Sequence, residues 1–411
     1  MNKFYKIQSP LQELFNNKVE LLPTVTELFE LELAYLEYKT LDKTQYLERT
    51  AYAKSFNGKK SLHFLRYSEI SEEISKNRTS TANSYFKNGL FSTGYATHSL
   101  FPYRGKFHPQ LIKGIINFLG IKEGETILDP MAGSGTTNIE ASLLGINSYA
   151  IDVSPFCQFM TKTKYDALKM DLTLLNNFNL SEKELFVYFK QKNVLQKIEK
   201  IKTGNREIYE LALLAYLDAL GYSRRVVRSN HEQLFVKVLN RYLATVKSLL
   251  LNKYFNNQKL GNVTILKNSD ALNIKLPDNS IDGIITSPPY SFAIDYVEND
   301  KDQLEYLGYD TIELKKNLIG LKGKTKSEKL KNYFSDMDKF MAEASRVLKQ
   351  NKFLVIIIGS NTNQTGGIRL EQNVINSAKN NKLNLVKSIL KPIKGMRNTM
   401  KEEYILFFEK E

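Results

Sequence analysis

The chain of 411 residues is long enough to bury the core of one large or two ordinary domains. Lysine and arginine outnumber the acidic residues 58 to 44, and the resulting net charge of +14 favours either a polyanionic partner or a basic, solvated surface. The single cysteine, Cys157, excludes an internal disulfide and a multi-cysteine zinc site. No signal peptide and no apolar run of about 18 residues is present, so we expect a cytoplasmic protein.

The N-terminal region, residues 1–97, is predicted to be mostly helical. Segments such as Glu27–Tyr38 place apolar side chains at helical spacing between glutamates, and strand signals are sparse. A polar stretch at Ser75–Ser84 is predicted to be a loop that separates this region from the rest of the chain.

From about Glu125 onward, short apolar runs alternate with helical patterns. Strands are predicted at Thr126–Leu128, Tyr149–Ile151, Val263–Leu266, Ile281–Ile285, Phe353–Ile358, Leu385–Ile389 and Tyr404–Phe408. The fifth run is nearly continuous and β-branched, as expected of a parallel strand buried on both faces. The last two runs are predicted to pair as an antiparallel hairpin. The alternation predicts a doubly wound α/β fold.

Residues 157–260 interrupt the alternation with a helical stretch that is rich in lysine and leucine. This stretch is far too long to be a connection between two elements. We therefore expect an inserted helical subdomain, and an α/β domain formed by residues 98–156 and 261–411.

Two basic segments are candidates for contact with nucleic acid. Arg224, Arg225 and Arg228 lie close together in the inserted stretch, where they suit hydrogen bonds to phosphates or bases. A shorter insertion at Tyr309–Tyr333 adds the lysines of residues 321–332. The alternative for both segments is a solvated helix face without a partner.

A glycine-containing loop, Asp129–Thr137 (DPMAGSGTT), joins a predicted strand to a predicted helix. Gly133 and Gly135 allow a sharp turn and a close approach to a ligand, and Asp152 ends the next strand, where a ribose diol is held in nucleotide-binding folds. The third glycine of the dinucleotide fingerprint and the lysine of a P-loop are missing, which argues against both classes. An ordinary tight turn is the structural alternative.

The predicted strand at Ile281 ends in Ser287-Pro288-Pro289-Tyr290. The prolines stop the strand and stiffen the chain, which a rigid loop would also require. The arrangement suits the methylation of an aromatic amine. The Ser287 hydroxyl and the Pro288 carbonyl can accept hydrogen bonds from the amine, and Tyr290 offers a face on which an extruded base can stack.

Both motifs resemble those of the DNA amino-methyltransferases. The glycine loop resembles the D-P-F-x-G-S-G-T-T of that family, with Met131 in place of the usual Phe, and Ser287–Tyr290 resembles the S-P-P-Y signature seen mostly in cytosine-N4 enzymes. His98–Leu111 resembles the family's motif X, in which Phe107 and Pro109 would pack over the cofactor.

The resemblance covers roughly residues 95–410 and implies a Rossmann-like methyltransferase fold. It implies a site-specific enzyme that transfers a methyl group from S-adenosylmethionine to an exocyclic amine of a flipped base in double-stranded DNA. Cytosine N4 is the favoured target, as in restriction-modification systems, in which a cognate restriction endonuclease would be a further partner. Neither a metal nor a membrane is expected to take part, and His98 and His108 are interpreted as surface or hydrogen-bonded residues and not as metal ligands.

The site residues follow from these motifs. The tetrapeptide Ser287, Pro288, Pro289 and Tyr290 is expected to be catalytic. Asp270 falls at the family's third acidic motif, where it could accept a hydrogen bond from the adenine amine of the cofactor. The residues expected to bind the cofactor are Phe107, Pro109, Asp129, Ala132, Gly133, Ser134, Gly135, Asp152 and Asp270.

Three alternatives remain open. An adenine-N6 enzyme usually carries D-P-P-Y or N-P-P-Y in place of S-P-P-Y. An RNA guanine-N2 methyltransferase usually carries D-P-P-Y-G and a mixed α/β N-terminal domain. A catalytically inactive nucleic-acid-binding subunit is the third, although both motifs are intact.

Overall fold

The computed structural model describes residues 13–16, 18–68, 94–103, 105–225, 230–256, 258–290, 295–359, 365, 367–393 and 402–411. The N-terminal region combines helices with a small sheet. Its helices are α1 (Leu28–Thr40), α2 (Lys43–Arg49) and α3 (Leu62–Ser68), and its antiparallel strands are β1 (Val19–Leu21), β2 (Ala53–Phe56) and β3 (Lys59–Lys60). This sheet was not predicted, because its strands are too short to show an alternating pattern of apolar and polar residues.

Buried polar contacts join the N-terminal region to helix α4 (Pro109–Phe118). The fully buried Glu37 carboxylate accepts a hydrogen bond from Asn117 Nδ2 at 2.6 Å, and Lys113 Nζ lies 3.0 Å from His63 Nδ1. Burial raises the pKa of Glu37 and lowers that of Lys113. Because an unpaired buried charge is costly, these contacts specify how the two parts pack.

A seven-stranded sheet forms the centre of the chain, in the order β6-β5-β4-β7-β8-β10-β9. Its strands are β4 (Thr126–Asp129), β5 (Asn147–Ala150), β6 (Val263–Ile265), β7 (Ile281–Thr286), β8 (Leu348–Gly359), β9 (Leu383–Pro392) and β10 (Glu402–Lys410). β10 is antiparallel to its neighbours β8 and β9, and β6, β5, β4, β7 and β8 are mutually parallel. Each predicted apolar run overlaps one of these strands, which confirms the doubly wound α/β fold.

Helices cover both faces of this sheet. They include α4, α5 (Thr136–Leu143), α6 (Pro155–Ala167), α15 (Lys326–Val347) and α16 (Leu370–Asn380). Neighbouring residues of a strand enter different apolar clusters: Ile285 and Val355 pack with α4, while Ile284 and Ile356 pack with α15 and α16. Side chains alternate along a strand, so one continuous apolar run supplies a core on each face.

The stretch between β5 and β6 is helical after α6. Its helices are α7 (Leu172–Asn176), α8 (Glu182–Phe189), α9 (Val194–Glu199), α10 (Asn205–Arg225) and α11 (His231–Leu251). They share an apolar core with α12 (Tyr296–Asn299), α13 (Lys301–Tyr306) and α14 (Thr311–Asn317), which follow β7. The predicted subdomain limits stay a prediction, and residue 157 lies within α6. None of the helices in the described ranges, α10 and α11 included, is both long and apolar enough to cross a bilayer.

Candidate active site

Two neighbouring parallel strands, β4 and β7, bring the glycine loop next to the proline-rich tetrapeptide. Leu128 of β4 lies opposite Ile284 of β7, so both strands end at the same edge of the sheet. At that edge the buried Thr286 hydroxyl donates a hydrogen bond of 2.8 Å to Asp129 Oδ1. Burial raises the pKa of Asp129 to about 6. Asp129 therefore links the start of the glycine loop to the start of the tetrapeptide.

The glycine loop turns through two left-handed positions. Gly133 has φ +52° and Gly135, which precedes α5, has φ +75°. A Cβ at Gly135 would lie 2.6 Å from Thr161 Cγ2, so the backbone there has no room for a side chain. Asp152 fixes the loop in turn, because its carboxylate accepts hydrogen bonds of 2.8 Å from the amides of both Gly133 and Ser154.

A cavity of about 280 Å³ opens where these loops meet. The predicted cofactor and catalytic residues that line it are Phe107, Ala132, Gly133, Ser134, Asp152, Asp270, Ser287 and Pro289. Asp129 and Gly135 lie behind the loop, and Pro109 is the first residue of α4. Pro288 and Tyr290 also lie outside the cavity wall. The structure thus gathers most, but not all, of the predicted site around one space.

The lining of the cavity fits S-adenosylmethionine. The carboxylates of Asp152 and Asp270 can accept hydrogen bonds from a ribose diol and an adenine amine, and the Lys106 ammonium can pair with a carboxylate. Apolar side chains such as Met131 and Val297 supply surface for a flat ring. A loop without a Cβ at Gly133 leaves space for the ligand beside the backbone.

The tetrapeptide presents its hydroxyl groups in a defined orientation. Ser287 Oγ donates to the Ile357 carbonyl at 2.8 Å, and the Tyr290 hydroxyl donates to Glu403 Oε1 at 2.8 Å. The two hydroxyl oxygens lie 3.3 Å apart. Burial and the nearby Glu403 carboxylate raise the pKa of Tyr290 well above its usual value. Ser287 Oγ therefore keeps lone pairs with which it can accept a hydrogen bond.

Several residues of the site were not predicted from the sequence. Lys106 and Tyr296 line the cavity, and Lys322, which was grouped with lysines expected to face nucleic acid, lines it as well. Lys322 Nζ forms an ion pair of 2.8 Å with Asp336. Glu403 lies at the start of β10, where an acidic residue before an apolar run carries no distinctive signal.

The predicted nucleic-acid contacts are only partly described. Arg224 forms an ion pair with Asp302, and about half of its side chain is exposed. Arg228 and the side chain of Arg225 lie outside the described residues. His98 is buried against Glu140 at 2.7 Å, and burial lowers its pKa to about 4. Across the described ranges, no group of three or more His, Cys, Asp or Glu side chains could hold a metal.

Comparisons with known proteins agree with this geometry. Residues 99–219 match the family of RMKL-like methyltransferase domains, and residues 281–411 match the DNA methylase family. The fold and the site thus define a methyltransferase that uses S-adenosylmethionine. These matches support the DNA amino-methyltransferase family for this chain.

Three relatives show how far the similarity extends. Type II methyltransferase M.BsoBI of Geobacillus stearothermophilus is 26% identical over 352 residues, covering 70% of this chain and 68% of that protein. M.MvaI of Kocuria varians is 23% identical over 380 residues, covering 72% of this chain and 82% of that protein. M.MjaII of Methanocaldococcus jannaschii is 40% identical over 85 residues, covering 20% of this chain and 16% of that protein.

Replacing Gly133 should block the cofactor. Gly133→Val adds a β-branched side chain at φ +52° beside the cavity, with its Cβ 3.3 Å from Tyr103 Cε1. We expect calorimetry to show affinity for S-adenosylmethionine reduced by about tenfold or more, equivalent to about 1.4 kcal/mol. Gly124→Val is the matched control, because Gly124 has φ +84° and no atom within 4 Å of the added Cβ. Undiminished affinity in Gly133→Val would contradict the assignment of the loop.

Cofactor affinity should depend on pH through Asp152. Burial raises the pKa of this carboxyl to about 6, so its charged, accepting form predominates above that pH and is lost as the pH falls through it. Between pH 7 and pH 5 we expect affinity for S-adenosylmethionine to fall by up to about tenfold. Asp152→Asn should bind more weakly at pH 7 and lose this dependence. If the Asn variant retained the same pH profile, another group would be responsible.

Proposed function

We propose that the chain is a site-specific DNA methyltransferase whose target is the N4 amine of a cytosine extruded from double-stranded DNA. The observation that carries this proposal is the placement of Ser287 on the wall of the cofactor cavity, with its hydrogen donated to Ile357. An acceptor at this point can take a hydrogen bond from an exocyclic amine that enters beside the cofactor.

The chemistry asks the protein mainly to position and polarise the amine. The lone pair of an aromatic amine is delocalised into the ring, and acceptors on its N–H groups help to localise it on nitrogen. We assign this role to Ser287 Oγ and the Pro288 carbonyl, with Tyr290 as the stacking surface for the base. When bound, S-adenosylmethionine supplies an electrophilic methyl group on its sulfonium. The C–N bond would form as the C–S bond of the sulfonium breaks, leaving a neutral thioether, and the amine would release one proton to water; no covalent bond to the enzyme would be needed.

We assign the cofactor contacts residue by residue. Asp152 would hold the ribose diol and Asp270 the adenine amine, since both residues line the cavity. Ala132, Gly133 and Ser134 would wrap the methionine portion, with Phe107 packed over it. Asp129, Gly135 and Pro109 would support this arrangement from behind the cavity wall.

The choice of cytosine rests on the serine of the tetrapeptide, since adenine-N6 enzymes usually carry Asp or Asn at that position. The choice of DNA is supported by the match of residues 281–411 to the DNA methylase family. The mixed α/β N-terminal region removes one argument against an RNA guanine-N2 enzyme. The absence of the usual D-P-P-Y-G still favours DNA. A complete cavity and an intact Ser287 argue against an inactive subunit.

The relatives are named type II methyltransferases, and by this similarity we propose that the chain is the modifying enzyme of a restriction-modification system with a cognate endonuclease. The contacts with DNA are assigned to Arg224, Arg225 and Arg228. Because such contacts release counterions, binding should weaken steeply with salt.

The target base is tested by mass spectrometry of digested DNA and, separately, digested RNA from cells that express the chain and lack other DNA methyltransferases. We expect N4-methylcytosine in the wild type. Ser287→Ala removes one acceptor for the amine and should slow transfer by about a hundredfold while S-adenosylmethionine still binds.

Each outcome of this experiment is decisive for a different part of the proposal. N6-methyladenine without N4-methylcytosine would refute the choice of base and leave the site intact. Methylated guanine in RNA would refute the choice of nucleic acid. No methylated base of any kind would favour the inactive subunit, and an unimpaired Ser287→Ala variant would remove Ser287 from the mechanism.

The role of Arg224 in DNA binding is tested by comparing a variant at Arg224 with a variant at its ion-pair partner, Asp302. If Arg224 contacts a phosphate, Arg224→Ala should weaken binding to unmethylated duplex DNA and reduce the slope of log affinity against log salt by about one unit. Asp302→Ala is the matched control, because it breaks the same ion pair but leaves the positive charge in place. Fluorescence anisotropy at several salt concentrations measures both. Equal weakening in the two variants would show that the ion pair matters only for structure.

A further inference from the structure

The hydroxyl group of Tyr290 is held by a residue from the last strand of the sheet. Its hydrogen bond to Glu403 Oε1 measures 2.8 Å and joins positions 113 residues apart in the chain. The Tyr290 ring packs beside the apolar cluster on the α15 face of the sheet. The tyrosine is thus held at both ends, by packing of its ring and by a charge-assisted hydrogen bond at its tip.

Glu403 is itself oriented by a cation. In the antiparallel pairing of β10 with β9, Glu403 lies directly opposite Lys391, and Lys391 Nζ donates to Glu403 Oε2. Both side chains are largely buried, with 15% and 19% of their surfaces exposed. Each oxygen of the carboxylate therefore has its own partner, Tyr290 on one side and Lys391 on the other.

These contacts determine where the two hydroxyl hydrogens of the tetrapeptide point. The hydrogen of Tyr290 goes to Glu403 and that of Ser287 goes to the Ile357 carbonyl. Ser287 Oγ lies 3.3 Å from the Tyr290 oxygen and can also donate to it, whereas the Tyr290 hydrogen is directed away from Ser287. An amine that approaches Ser287 from the cavity therefore meets lone pairs of Oγ and no hydrogen donated by Tyr290.

We infer that Glu403, oriented by Lys391, is a positioning residue for methyl transfer: it takes the hydrogen of Tyr290, so that this hydrogen does not occupy the Ser287 acceptor that faces the target amine. This role rests on the proposed function, in which the amine lies at Ser287. Glu403 acts through Tyr290 and does not line the cofactor cavity.

The substitution Glu403→Gln tests this role with little change in size. Lys391 would hold the carbonyl of the new amide, which leaves its N–H group facing the Tyr290 hydroxyl. Tyr290 would then accept from that N–H, and its own hydrogen would turn towards Ser287. Because the Tyr290 hydrogen would then occupy the Ser287 acceptor, we expect single-turnover methyl transfer to slow by about tenfold or more. Affinity for S-adenosylmethionine should not change.

The assay uses the full chain, radiolabelled S-adenosylmethionine and genomic DNA copied by polymerase chain reaction, which carries no methylation. Glu409→Gln is the matched control, because Glu409 lies at the other end of β10, opposite Phe353. A double-mutant cycle with Tyr290→Phe separates positioning from stability: without the hydroxyl, Glu403→Gln should cause no further loss of rate. If Glu403→Gln does not fold, Lys391→Met should cause a loss of about threefold that is likewise absent in Tyr290→Phe.

Two results would overturn the role of Glu403. One is a Glu403→Gln variant that transfers methyl groups at the wild-type rate. The other is an equal loss in the Tyr290→Phe background, together with a lowered Tm, which would indicate a purely structural contribution. A wild-type chain that methylates none of this DNA would instead overturn the proposed function, and the role of Glu403 with it.

Discussion

The pairing of β4 with β7 is the constraint on which the site depends. Each strand is followed by one part of the proposed site: the glycine loop follows β4 and the tetrapeptide follows β7. The buried hydrogen bond between Thr286 and Asp129 ties the two ends together. A shift of either strand would separate Ser287 from the cofactor loop, and in-line methyl transfer tolerates little misplacement of its reacting groups.

Two other parts of the chain, the N-terminal region and the inserted helices, pack near the ends of β4 and β7. The N-terminal region packs on α4 through the buried Glu37–Asn117 contact, and α4 follows the Phe107 segment that lines the cavity. The inserted helices share a core with the segment after β7, whose residues Val297 and Leu318 line the same cavity. The N-terminal region and the inserted helices therefore both pack next to segments that line the cavity, although they belong to separate apolar clusters.

The hydrogen-bonded chain from Ser287 to Lys391 links the reaction site to the antiparallel end of the sheet. β10 enters between β8 and β9, and this placement brings Glu403 to Tyr290. The Ile357 carbonyl that Ser287 contacts belongs to β8, the parallel neighbour of β7. A parallel strand in the same place would present a different end, and so different side chains, to the tetrapeptide. The antiparallel hairpin thus has a consequence for chemistry as well as for the closure of the sheet.

The strands of the central sheet and the two motifs could be predicted from the amino-acid sequence, because buried strands appear as apolar runs and tight loops need glycine and proline at fixed positions. Which residues meet across the fold depends on tertiary packing and could not be predicted in this way. Contacts between residues far apart in sequence produce the Arg224–Asp302 ion pair, the Glu403–Lys391 pair and the place of Lys322 in the cavity. The N-terminal sheet was missed because its strands are too short to recognise. Charged side chains carry no periodic signal of their own, so their roles follow from the packing that brings them together.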